Sequence, residues 1–163
     1  MRPDTDGLRR GRSRHHGPVP LVVPVVDACS FCDYLAGRRR FTILERDDVT
    51  ATLVTREQRG RGHVLVVPVT HRETILDLAP AEATALMVGV IRAVALVARA
   101  YDAAGIAVWQ NNGVPAHQSV PHVHFHVAAT LPEGGTNWGD VPRLSLDETD
   151  AIAALLRSHR NDA

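Results

Sequence analysis

At 163 residues, with 45% apolar residues, 22% charged residues and no formal net charge, the chain suits one ordinary domain with some tail. The balanced charge points to neither nucleic acid nor an anionic membrane as partner, and no apolar stretch reads as long enough to span a bilayer. The default expectation is a cytoplasmic protein with no organic cofactor.

Residues 1 to about 18 mix arginine, glycine, aspartate and histidine, and with the residues up to 26 they read as a flexible N-terminal extension. The run PVPLVVPVVDA follows several arginines as a secretion signal would. It is short, carries three prolines and lacks a small-residue cleavage site, so it is not read as one. Cys29 and Cys32, the only cysteines, follow in a C-x-x-C spacing. In a reducing compartment that spacing suggests metal binding or redox chemistry rather than a structural disulfide, with two unligated small residues as the plain alternative.

A short helix is expected from Ser30 to Ala36, with Ser30 as N-cap and Gly37 beyond its end. FTILE (41–45) and VTATLV (49–54) read as strands joined at Arg46-Asp47-Asp48, and HVLVVP (63–68) as a third that Pro68 ends. From Pro80 to Ala103, Leu86, Val90, Val94, Val97 and Tyr101 recur at helical spacing and predict one long amphipathic helix. IAVWQ (106–110) is a strand and NNGVPAHQS (111–119) a loop. Residues 131–163 form a C-terminal extension, where Ser145 and Glu148 make a capping box before a short helix. One main helix between strands predicts an α+β domain with an antiparallel sheet.

The segment VPHVHFHVAA (120–129) places His122, His124 and His126 at every second position, with Val123, Phe125 and Val127 between and after them. Strand side chains alternate between faces, so this is a strand with an apolar face in the core and a row of imidazoles on the other. Spacing alone leaves three readings open: metal ligands, catalytic groups, or polar residues on a solvated face.

The wider context, NNGVPAHQSVPHVHFHV preceded by GHVLVVPVTH and by CSFC, closely resembles the histidine triad (HIT) family of nucleotide hydrolases and transferases. The resemblance covers roughly residues 28 to 130, and the domain is set at 27–130. It implies a homodimer of α+β protomers that takes a nucleotide or nucleotide conjugate as substrate. His124 is then the nucleophile that attacks the α-phosphorus and carries a nucleotidyl group as a phosphoramidate. His63 and His126 would line the phosphate pocket as hydrogen-bond donors. Gln118 and Ser119 would contact phosphate or leaving group, and Asn111 and Gly113 would shape the loop. Bacterial members often bind a structural zinc, and the matching positions are Cys29, Cys32, His71 and His122.

Two departures from the family pattern stand out. His117 occupies a position where the family carries a glycine against the phosphate, and Thr55 stands where an acid usually binds the ribose hydroxyls. Two rival functions remain open on these residues. One is a hydrolase with a catalytic metal on His122, His124 and His126; the other is a nucleotide-binding protein without catalysis.

Overall fold

The computed structural model describes residues 21–160. Most of the expected N-terminal extension lies outside them. Residues 21–26 have no regular element, and the Val22 carbonyl accepts a hydrogen bond from the Val114 amide.

The chain forms α1 (Ser30–Leu35), β1 (Ile43–Arg46), β2 (Thr50–Val54), β3 (Arg61–Pro68), α2 (Pro80–Tyr101), β4 (Ile106–Trp109), β5 (Phe125–Ala129) and α3 (Leu146–Ser158). The five strands make one antiparallel sheet in the order β1-β2-β3-β5-β4, as an α+β reading requires. The β1–β2 turn is closed by Asp47, whose carboxylate accepts the Val49 and Thr50 amides. These amides hold its carboxyl below the usual carboxylate range.

Both faces of the sheet are covered. Val54, Val64, Val66 and Val127 pack under α2 and α3 with Leu86, Val90, Val97 and Leu156. Ala51, Leu53, Leu65 and Val67 point the other way, against Phe31, Tyr34 and Leu35 of α1. Two covered faces explain why Val64–Val67 of β3 reads as a continuous apolar run without alternation, and why all of β2 is buried. The sidedness matters for chemistry, because Leu65 pairs in register with His126 while its neighbour Val66 pairs with Phe125. The histidines therefore share the α1 face.

Several element boundaries differ from those expected. α1 is capped by Cys29 rather than Ser30, because the Cys29 carbonyl already accepts the Asp33 amide. The histidine strand begins only at Phe125. Before it, the His122 amide turns back to the Val120 carbonyl and the Val123 amide bonds to Arg72, so no strand partner is available there.

By length and composition α2 is apolar enough to cross a bilayer, contrary to the expectation from sequence. Its packing on the sheet accounts for that character, since Leu86, Val90, Ala93, Leu96 and Val97 lie in the core. Val90 and Val97 thus serve the protomer's own sheet. The outward apolar residues of α2 are Met87, Val88 and Ile91. Tyr101 packs at the core's edge over Gly62, where φ is +61° and a β-carbon would collide with its ring. That close approach explains the glycine before His63.

Within the C-terminal segment, the capping box forms as read. The Ser145 side chain accepts the Glu148 amide and the Glu148 carboxylate accepts the Ser145 amide. α3 then buries Ala153 and Leu156 in the main core.

Candidate active site and metal centre

The row of histidines is not a solvated face. His122 and His124 are 0% and 4% exposed, and each is held by a carbonyl. A carbonyl only accepts, so the facing ring nitrogen must carry the proton. For His124 that nitrogen is Nδ1, 2.7 Å from the His122 carbonyl. Burial holds the ring below the usual imidazole range. A neutral ring with Nδ1 protonated has its lone pair on Nε2.

His63 stands behind this centre and lines neither of the two cavities described below. Its Nδ1 lies 2.9 Å from the Glu57 carbonyl and 3.3 Å from the Arg59 amide. The shorter contact to a pure acceptor decides the tautomer: Nδ1 is protonated and Nε2 accepts from His126 Nδ1 at 3.0 Å. His126 Nε2 is then left with its lone pair. Its ring stacks on Trp109, with centroids 4.6 Å apart and 3° between planes. Trp109 sits opposite His126 across the β4–β5 pair.

Burial pushes the His63 imidazole from its ordinary 6.5 down to about 4. A folded-state value below the unfolded one gives stability that is complete above about pH 6.5 and lost as pH falls towards 4. The melting temperature, measured in chelator, is therefore expected to fall from pH 7 to pH 5. A His63→Asn variant should show a smaller fall; an equal fall would assign the acid sensitivity elsewhere.

Two cavities meet at this centre and share Glu57, Ser119, His124 and His126. The first, about 210 Å³, is lined by Phe31, Tyr34, Phe41, Leu65, Thr55, Arg56 and Arg143 among others. The second, about 460 Å³, is bounded by Arg59, Trp109, Asn111, His117 and Trp138. Ser119, Asn111 and His117 thus reach the cavities. Gln118 does not: it is buried, its Oε1 accepting the Gly113 amide and its Nε2 donating to the Glu73 and Val120 carbonyls. It shapes the loop, with Gly113 at φ +87°. His117 itself adopts φ +63°, the left-handed conformation that glycine takes freely and histidine tolerates better than most residues.

Glu57, Arg59, Trp109 and Trp138 were not read from sequence as site residues. Trp109 carried a weak signal, an aromatic two residues before the Asn-rich loop. Glu57 and Arg59 sat in a polar loop whose path only the β3 register defines.

At the other end of the histidine segment, Cys29, Cys32, His71 and His122 converge. Their ligand atoms all lie within 4.8 Å of one another. Cys29 Sγ is 3.4 Å from His122 Nδ1, and Cys32 Sγ is 3.4 Å from His71 Nδ1. His122 Nε2 donates to the Pro68 carbonyl at 2.9 Å, which leaves Nδ1 free to ligate and fixes the ring as metal-bound histidines usually are. The four groups fit a metal ion. Burial raises the Cys32 thiol to about 11, with the nearby Cys29 adding to it, so the thiolate form wants a cation beside it.

A model of the HIT domain matches residues 38–132. The chain belongs to the HIT family. An uncharacterised HIT-like protein of Methanocaldococcus jannaschii is 30% identical over 74% of this chain and 94% of its own length. The adenosine 5′-monophosphoramidase of Schizosaccharomyces pombe is 28% identical over 80% of this chain and 97% of its own. Among solved structures, a Zn-bound histidine triad family protein from Mycobacterium smegmatis aligns with a TM-score of 0.69 at 26% identity, covering 81% of this chain and 92% of that one. In this HIT protein the triad motif is thus split by function of place: His122 belongs to the cysteine cluster, while His124 and His126 face the cavities.

Proposed function

We propose that this HIT protein is a nucleotidyl hydrolase or transferase acting at the α-phosphate through a covalent intermediate on His124. One observation carries the reading: His124 is buried and neutral, with Nδ1 held by a backbone carbonyl and Nε2 left with its lone pair, beside two cavities. In the first step Nε2 forms a bond to phosphorus as the bond to the leaving group breaks. The leaving group departs with the electron pair and takes up a proton from solvent. In the second step water or another acceptor attacks phosphorus and the N–P bond breaks, releasing the nucleotide and restoring His124. Ser119 donates to a phosphate oxygen. His126 Nε2 accepts a proton from the attacking group and passes it to solvent, backed by the His63–Glu57 chain. Names of relatives such as the monophosphoramidase support the substrate class.

The metal at Cys29, Cys32, His71 and His122 is read as one structural zinc. Four protein ligands leave no open position for a substrate, and His122 is committed away from the cavities. This favours the covalent route over a catalytic metal on the three histidines.

A reducing compartment, the cytoplasm by default, suits the two free thiols. We also infer a homodimer. β4 is an edge strand, and Met87, Val88, Ile91 and Val108 are exposed apolar groups that a second copy would cover. Sedimentation at micromolar concentration is expected to give twice the chain mass, and a monomer would contradict it.

The activity is tested with a panel of nucleoside phosphoramidates, dinucleoside polyphosphates and nucleotide sugars, each beside a His124→Ala control. Turnover of at least one class by the unaltered protein alone is expected. Turnover of none would sink the reading in favour of nucleotide binding without catalysis.

A further inference from the structure

Displacement at phosphorus sends the attacking group in on one side and the leaving group out on the other, so a substrate spreads two arms from the reacting atom. Two cavities join at His124 and His126 here. The smaller holds Thr55, Arg56 and Glu57 together with the rings of Phe31, Tyr34 and Phe41, which suits a ribosyl base. The larger is bounded by two tryptophans, Trp109 and Trp138.

Trp138 is 68% exposed, a large apolar surface to leave in water. It is nonetheless firmly placed. The Asn137 amide donates to the Arg59 carbonyl at 2.7 Å, and Arg59 Nη1 donates to the carbonyls of Asn137 and Gly139 at 3.1 and 3.0 Å. The Gly139 amide closes the turn on Asn137 Oδ1 at 2.9 Å. These four bonds hold the indole at the cavity rim, its centroid 5.4 Å from Trp109 and its plane inclined by 53°. Trp109 is already stacked on His126, so the free aromatic face of the pair belongs to Trp138. Arg59, which anchors the turn, also lines the same cavity, where it pairs with Glu57 at 3.7 Å.

We propose that the Trp109–Trp138 pair is a leaving-group subsite selecting substrates whose leaving group carries a planar aromatic ring, which stacks on Trp138. The proposal rests on the α-phosphate reading above and adds to it the chemistry of the second arm. Stacking of a ring on an aromatic side chain contributes about 1–3 kcal/mol, equivalent to roughly 5- to 150-fold in selectivity.

Three adenosine 5′-phosphoramidates separate ring stacking from size and from chemistry: one releasing ammonia, one 2-phenylethylamine, and one 2-cyclohexylethylamine. In the unaltered protein kcat/KM for the phenyl substrate should exceed that for the cyclohexyl one by about tenfold or more. Trp138→Ala should remove most of that ratio and Trp138→Phe should retain most of it. Equal values for the two substrates in the unaltered protein would overturn the subsite. So would a ratio unchanged in Trp138→Ala, or an equal loss on all three substrates. The same ratio is read as Kd by calorimetry in a His124→Ala background. If nothing turns over, the α-phosphate reading fails while the binding ratio still decides the subsite.

Discussion

His124→Ala is expected to lose at least about 10⁴-fold in kcat on whichever substrate the protein turns over, with its fold intact. The loss is large because Nε2 of this ring makes and breaks the bond to phosphorus; no neighbour can replace it. His126 is turned into its chain with His63, and His122 is tied to Pro68 and the cysteines. The fold survives because the ring packs beside Phe31 at the cavity edge and makes one hydrogen bond to a backbone carbonyl. Circular dichroism and thermal melting check the fold, and initial rates check the loss. A variant that is folded and retains rates within tenfold would remove His124 from the chemistry.

Metal loss is the second large effect. The purified protein should carry about one zinc per chain, and His71→Ala should lose it. His71 is the informative ligand because it is exposed and outside the core clusters, so its truncation leaves no cavity behind. His122→Ala would confound metal loss with a hole in the interior. A ligand present at a thousandfold over its Kd stabilises the folded state by about 4 kcal/mol. For a chain of this size that corresponds to about 10 °C in melting temperature. The difference between the unaltered protein and His71→Ala should vanish in excess chelator. An unaltered protein that holds no metal, or a His71→Ala variant that melts at the same temperature without chelator, would refute the site.

Much of this was legible in sequence because it depended on local periodicity. The heptad-like recurrence from Leu86 to Tyr101 defined α2, and Ser145 with Glu148 marked the start of α3 within a residue. The alternation of His122, His124 and His126 correctly separated imidazoles from Val123 and Val127. It could not show that both faces are covered, because α1 closes over the histidine side from nearly a hundred residues away. Nor could it distinguish a histidine that lines a cavity from one that supports it. His63 and Gln118 were read as phosphate contacts; Gln118 spends its polar atoms on neighbouring backbone, and His63 faces the Glu57 carbonyl and the His126 ring. Such assignments depend on which carbonyls lie within 3 Å, a property of packing. The return of the 137–139 turn onto Arg59 is likewise a contact across about 80 positions with no local signature.

The two departures from the family pattern also divide in the structure. His117 takes a left-handed backbone, so its glycine counterpart is explained by conformation as much as by space. Thr55 does line the smaller cavity, and a carboxylate lies two residues on, at Glu57. Arg56 is engaged by the Leu144 carbonyl at 2.5 Å. Any acid acting on the ribose side would therefore come from Glu57, and a carboxylate accepts a pair of hydroxyls where threonine does not.

Transfer of a nucleotidyl group through His124 leaves its mark in the stereochemical course at phosphorus. A substrate made chiral at the α-phosphorus with sulfur and oxygen isotopes is hydrolysed in labelled water, and the configuration of the released nucleotide is read. Two in-line displacements through His124 give net retention, the result expected here. Net inversion would mean that water attacks phosphorus in a single step, and would contradict the covalent route.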